Sequence, residues 1–312
     1  MKILSRNKVS LPLFISVVVV ILSTILHSTF YANTATAAAA AVNSTTTNTA
    51  GSSSSHKSSG CNCVAFRIDD VSDNNRVGNL AVLNLFLSEN EPLTLGIVMN
   101  HIGRSPVLMD KIMEGANKGL FELALHGYDH LNYVKLAPQE QMDQLSKANE
   151  RMNDLFGKPS KIFVPPYDTF NNYTVNALSR LGIPIISAGD FEYNGTQSQY
   201  HIFSTINPVA HDPKSNQVYH LARSTGIEDF GDNNLPIKLP LQTTLNRAYA
   251  AISKYGYAII VMHPTSFLTM KNGKYTNIVD QNEINNVKSL INTIKAKNIH
   301  ITSMSKIAGL PS

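Results

Sequence analysis

Two hydrophobic rhythms alternate along this chain. Short runs of almost continuous apolar residues read as strands buried on both faces: Val64 to Ile68, Leu93 to Met99, Phe121 to Leu125, Ile162 to Val164, Ile183 to Ser187, Tyr257 to Met262 and Ile299 to Thr302. Between them the apolar positions take helical spacing. Val77, Leu80, Ala81, Leu83 and Leu87 share one face over residues 76–87. Ser105-Pro106 has the form of an N-cap followed by proline at the first helical position, opening a helix to about Lys118. Residues 139–156 predict an amphipathic helix closed by Gly157, and 172–181 a helix stopped by Gly182. Residues 241–254 predict another, ended by Gly256, and a last helix opens at Asp280 with Glu283 three positions on, the spacing of a capping box. Residues 190–240 break the rhythm, with only Val218 to Ala222 reading as strand.

Strand and helix taking turns seven or eight times predict a parallel sheet wrapped by helices. An open doubly wound sheet meets that description. A distorted (β/α) barrel of seven or eight strands suits the count and length better, and it makes a demand: the chemical groups belong at the C-terminal ends of the strands.

Composition changes the picture mainly at the N-terminus. The chain has 312 residues and a net charge of +4, of which Lys2, Arg6 and Lys8 supply three, leaving +1 without them and no basic footprint for nucleic acid. Those cations precede an apolar run over residues 9–26, with small residues after it, so residues 1–37 are expected to be a signal peptide or a membrane anchor. Either places the remainder in an extracellular or cell-surface location. Residues 38–60, rich in Ala, Ser and Thr, are expected to be a flexible linker that tethers a folded domain over 61–312. Cys61 and Cys63 are the only cysteines; a bridge across one residue carries strain, and two thiolates make a poor metal site, so they stay unassigned.

The candidate chemistry meets the barrel's demand. Asp69 and Asp70 follow the first strand, His126 the third, Pro165-Pro166-Tyr167 the fourth, and His263 follows Tyr257 to Met262. If the chain turns into helix after His126, then His126 and His130, four apart, share a face and can meet one ion. Two imidazoles and a strand-end carboxylate are a recognised ligand set for a divalent metal with open positions.

In this order, Asp69-Asp70, His126-x-x-x-His130, Pro166-Tyr167 and Met262-His263 resemble the polysaccharide deacetylases with a NodB homology domain, carbohydrate esterase family 4. The resemblance spans roughly residues 62–308. It implies a NodB-like barrel that removes N-acetyl groups from a carbohydrate polymer or oligosaccharide, hydrolysing a non-peptide C–N bond. It further implies Asp70, His126 and His130 as ligands of a divalent metal, most simply Zn²⁺, with Co²⁺ or another divalent ion as alternatives. Asp69 is implied as the base, His263 as the acid, and the Tyr167 backbone N–H as donor to the oxyanion.

The chain departs from that pattern in three places. Arg67-Ile68-Asp69-Asp70-Val71 lacks the glycine that usually ends the first motif, Val164 stands where an orienting arginine is usual, and there is no tryptophan. Arg67 precedes Asp69 by two positions, on the same side of a strand, and is the expected substitute for the arginine. His101, His201, His211, His220, Arg223 and Asp229 are further polar candidates that no spacing singles out. Two alternatives accompany the deacetylase reading: a hydrolase of another N-acyl substrate, and a catalytically silent, metal-stabilised carbohydrate-binding barrel.

Overall fold

The computed structural model describes residues 61–189, 192–193, 196–197, 200–203, 218–230 and 236–310. The expected signal or anchor and the linker lie outside the described residues, as does His211. No helix among the described residues is long and apolar enough to cross a membrane.

The elements run in the order β1 (Cys63–Val71), α1 (Arg76–Glu89), β2 (Leu93–Ile97), α2 (Pro106–Asn117), β3 (Phe121–Leu125), α3 (Pro138–Phe156), β4 (Ile162–Phe163), α4 (Asn172–Arg180) and β5 (Ile185–Ile186). Three short strands follow, β6 (Glu192–Tyr193), β7 (Thr196–Gln197) and β8 (Tyr200–Phe203). Then come β9 (Val218–Leu221), β10 (Thr225–Gly226), β11 (Glu228–Phe230), β12 (Pro236–Lys238), α5 (Leu241–Tyr255) and β13 (Tyr257–Met262). The chain ends with β14 (Leu268–Lys271), β15 (Lys274–Val279), α6 (Gln281–Ala296), β16 (His300–Ile301) and α7 (Met304–Ile307).

The main sheet has the order β10-β13-β1-β2-β3-β4-β5-β9-β8, with β16 also on β1; every pairing along it is parallel except that of β8 with β9. One stretch of chain meets both ends of this parallel series. Tyr219 and His220 pair with Ile185 and Ile186 of β5, and five residues later Thr225 and Gly226 pair with Ile260 and Val261 of β13. Between them the Arg223 N–H donates to the Ala188 carbonyl at 2.7 Å and the Ser224 N–H to the Ile259 carbonyl at 2.9 Å. That seam curls the sheet into the distorted barrel the pattern predicts.

Two apolar clusters divide at the sheet. Phe66 and Ile68 of β1 pack outward with Leu83 and Phe86 of α1, while Cys63 and Ala65 face a smaller inner cluster with Ala124, Ile162, Val164, Ile259 and Met304. By strand alternation, Arg67 and Asp69 continue the inner row of β1.

Local differences from the sequence expectation have identifiable causes. Residues 126–130 form a loop, not a helix, so His126 and His130 meet through left-handed backbone at Gly127 (φ 77°) and His130 (φ 56°). Ser105 caps α2 as expected, accepting from the Leu108 N–H. Asp280 caps α6, but the Glu283 carboxylate turns to Lys238 Nζ at 3.3 Å instead of closing a capping box. Cys61 and Cys63, left unassigned above, are joined as a disulfide.

Candidate active site

Adjacent carboxylates on a regular strand point to opposite faces. Here the register of β1 against β2 shifts between Ile68 and Val71, and Asp70 takes φ 58°, so the alternation breaks at the strand tip. Asp69 stays inside the barrel, 4% exposed, while the Asp70 side chain opens to the mouth. Gly96 on β2 makes room for Asp69, since a Cβ there would lie 3.3 Å from its Oδ1.

Beneath Asp69 lies Arg67, fully buried. Its Nε donates to Asp69 Oδ1 at 2.8 Å and its Nη2 to Asp69 Oδ2 at 2.7 Å, the parallel fork that favours arginine over lysine. Nη2 also reaches Asp168 Oδ1 at 2.9 Å, and Nη1 donates to the carbonyl and hydroxyl of Ser187 at 3.0 and 2.8 Å. Burial alone would lower the guanidinium pKa; the charges of Asp69 and Asp168, with their hydrogen bonds, outweigh it and raise it. With Val164 in place of an arginine, the cation that pairs with Asp69 comes from β1.

The three candidate metal ligands converge. His126 Nε2 lies 3.3 Å and His130 Nε2 2.9 Å from Asp70 Oδ1, and the donor atoms all fall within 4.8 Å of one another. His126 Nδ1 meets the Val164 carbonyl at 2.8 Å; a carbonyl only accepts, so Nδ1 carries a proton and Nε2 is the ring nitrogen turned toward Asp70. Burial raises the Asp70 pKa, but the hydrogen bonds and charges of the two histidines prevail and hold it well below the ordinary carboxylate range. A directed imidazole, a second imidazole and an ionised carboxylate, with solvent on the open side, fit a small divalent cation.

His263 follows β13, and its Nδ1 meets Glu228 Oε1 at 2.8 Å. Glu228 is 4% exposed, so the contact is largely shielded from solvent. Burial lowers the His263 pKa, yet the Glu228 hydrogen bond and the charges of Asp69, Glu228 and Asp70 together raise it. Phe230 packs edge-on against the imidazole, centroids 5.5 Å apart. Sequence reasoning missed Glu228. It lies in the irregular stretch, and the neighbouring Asp229 offered the same signal but pairs instead with Arg247 on α5 at 2.9 Å.

Tyr167 adopts φ 62° and Asp168 φ 55°, two consecutive left-handed residues without glycine, in a short 3₁₀ turn after β4. Such backbone is costly, and it clusters at sites where geometry matters more than local comfort. Tyr167 is 63% exposed, and its ring lies 5.0 Å from that of His130. Asp168 joins the site through Arg67, and Arg223 reaches its other oxygen at 3.1 Å. His220 is buried, edge-on against Phe170. His101 sits in the turn after β2. His201 falls in β8, of whose side chains the described residues give nothing.

Residues 56–186 match the family model described as polysaccharide deacetylase. No curated protein matches the chain. Solved structures share its fold at low identity. A Mycobacterium smegmatis protein assigned to the polysaccharide deacetylases is 15% identical with a TM-score of 0.58, covering 80% of this chain and 90% of that one. A family 4 acetyl xylan esterase from Clostridium thermocellum, in complex with a cobalt ion, is 15% identical with a TM-score of 0.50, covering 80% and 93%. A family 4 pseudoenzyme from Bacillus anthracis is 15% identical with a TM-score of 0.50, covering 79% and 65%.

Proposed function

We propose that this chain, a divergent member of the polysaccharide deacetylase family, is a metal-dependent hydrolase that removes N-acetyl groups from an extracellular or cell-surface polysaccharide. One observation carries the reading. The candidate ligands Asp70, His126 and His130 stand beside a buried carboxylate, Asp69, and an imidazole, His263, and each of these two has its own charged partner. A site kept only for metal-based stability has no use for the second pair.

Asp70, His126 and His130 would hold the divalent ion, with Zn²⁺ or Co²⁺ suited to the two imidazoles and the carboxylate. When bound, it supplies Lewis-acid polarisation of the acyl carbonyl and acidifies a water. Asp69 accepts the proton of the attacking water while Arg67 fixes the orientation of its carboxylate. The Tyr167 N–H, presented by the left-handed turn, donates to the developing oxyanion. Glu228 keeps the proton of His263 Nδ1 engaged, leaving the protonated Nε2 to donate to the departing amine. Acetate and a free amino sugar are the products.

The silent alternative has its own support, because both oxygens of Asp69 already accept hydrogen bonds from Arg67. The two separate in one assay. Acetate release from chitooligosaccharides by metal-loaded protein, lost on chelation and in Asp69→Asn, supports the deacetylase. Loaded, folded protein that binds these sugars without releasing acetate supports the silent barrel.

A further inference from the structure

The opposite end of the barrel holds a cavity of about 500 Å³, a volume ordinary for small-ligand sites. It opens between the first residues of β3 and β4, the end of α2, and α7. From Phe121 to His126 the strand rises about 3.3 Å per residue, so the cavity lies roughly 17 Å from the candidate metal ligands. In barrels of this kind that face ordinarily serves stability.

Pro92, Ala116, Leu120 and Pro159 contribute the accessible apolar lining, over a floor of buried Phe121, Met152 and Ile162. Three exposed cations also line it: Lys158 and Lys161 from the turn before β4, and Lys306 from α7. Among the described residues none of the three pairs with a carboxylate. The only acid in the lining, Glu122, is already engaged: it accepts from the Thr94 hydroxyl at 3.1 Å and from the Met304 and Ser305 N–H groups at 2.9 and 3.2 Å. Lys161 Nζ donates to the Gly182 carbonyl at 3.5 Å, a neutral partner, so three positive charges stand at the cavity beside one hydrogen-bonded carboxylate.

We infer that this cavity is a second binding site, separate from the catalytic mouth, for a small amphiphilic carboxylate whose apolar body lies against Leu120 and Pro159 and whose head group meets Lys158, Lys161 and Lys306. It does not depend on the deacetylase reading, since no catalytic residue lines it.

Calorimetric titration of the full chain with octanoate tests it, alongside 1-octanol, which keeps the apolar body, and inorganic phosphate, which keeps the charge. Octanoate is expected to bind at least tenfold more tightly than either. The triple variant Lys158→Gln, Lys161→Gln, Lys306→Gln should weaken octanoate at least tenfold with an unchanged melting temperature. Ala116→Phe, which fills the cavity from α2, should abolish binding. If Ala116→Phe lowers stability, the triple variant, confined to exposed side chains, still decides. Equal binding of 1-octanol or phosphate, or octanoate affinity that survives the triple variant, overturns the inference.

Discussion

Arg67 grips Asp69 from within one strand, two residues apart, through two parallel hydrogen bonds of 2.8 and 2.7 Å. The orienting cation and the proposed base are thus carried by a single rigid element. The same guanidinium satisfies Asp168 and Ser187, so it anchors a charged layer across the barrel.

Removing Arg67 leaves buried Asp69 without its cation and Asp168 with Arg223 alone. Breaking a buried ion pair from one side costs about 3–5 kcal/mol, so Arg67→Met should lower unfolding stability by that order in urea. Arg67→Lys keeps charge but loses the fork. It is expected to remain folded and to lower kcat by about two orders of magnitude, the scale of a general base, with little change in KM. A folded Arg67→Lys protein with full turnover would remove the positioning role.

Glu228 is expected to set the alkaline edge of the proposed activity. Glu228, Asp69 and Asp70 raise the folded-state pKa of His263 against the opposing effect of burial, so the imidazolium persists above its ordinary value of about 6.5. An acid role requires that form, so turnover falls as pH rises through the raised value. Glu228→Gln should move the descending limb to lower pH, and an unchanged limb would argue against the pairing. The linkage to stability has the same sign. The contribution is complete below the unfolded-state pKa and disappears as pH rises through the folded-state value, so Glu228→Gln should cost most stability at acid pH.

Metal binding should be visible without catalysis. Saturating a site to a hundred times its dissociation constant stabilises the folded state by about 2.7 kcal/mol. Adding Zn²⁺ or Co²⁺ to chelator-treated protein should raise the melting temperature of the wild type. It should leave that of His130→Ala unchanged, with bound metal falling in step.

Gly78 on α1 offers a subtler probe. A Cβ at that position would collide with the Pro264 carbonyl, one residue beyond His263. Overpacking of this kind costs about 1–3 kcal/mol, and the loop can relieve it only by moving. Gly78→Ala is therefore expected to fold and to lose at least tenfold in kcat. Normal turnover would mean that α1 yields instead.

Much of this was legible in the residues. Continuous apolar runs mark buried strands whatever their partners, and placing Asp69, His126, Tyr167 and His263 at strand ends needed only the order of elements. The i, i+2 relation of Arg67 and Asp69 follows from strand geometry alone. What could not be read depended on backbone that ordinary propensity disfavours. The left-handed Asp70 and His130 bring the ligand set together where a helical turn was expected. Glu228 reaches His263 across 35 residues, between β11 and the end of β13, and no local period encodes such a pairing. The antiparallel pairs β11–β12 and β14–β15 escaped for a related reason: their exposed faces carry Phe230, Ile237, Met270 and Ile278, which blurs the alternation.

The seam formed by β9 and β10 has a consequence for the order of assembly. Strands β1, β3 and β13 could deliver Asp69, Asp70, His126 and His263 to an uncurled sheet, because each is carried by its own strand end. Glu228 and Arg223 arrive only with the stretch that stitches β5 to β13. The seam therefore works as a latch, and the proposed acid is tuned only once the latch has shut.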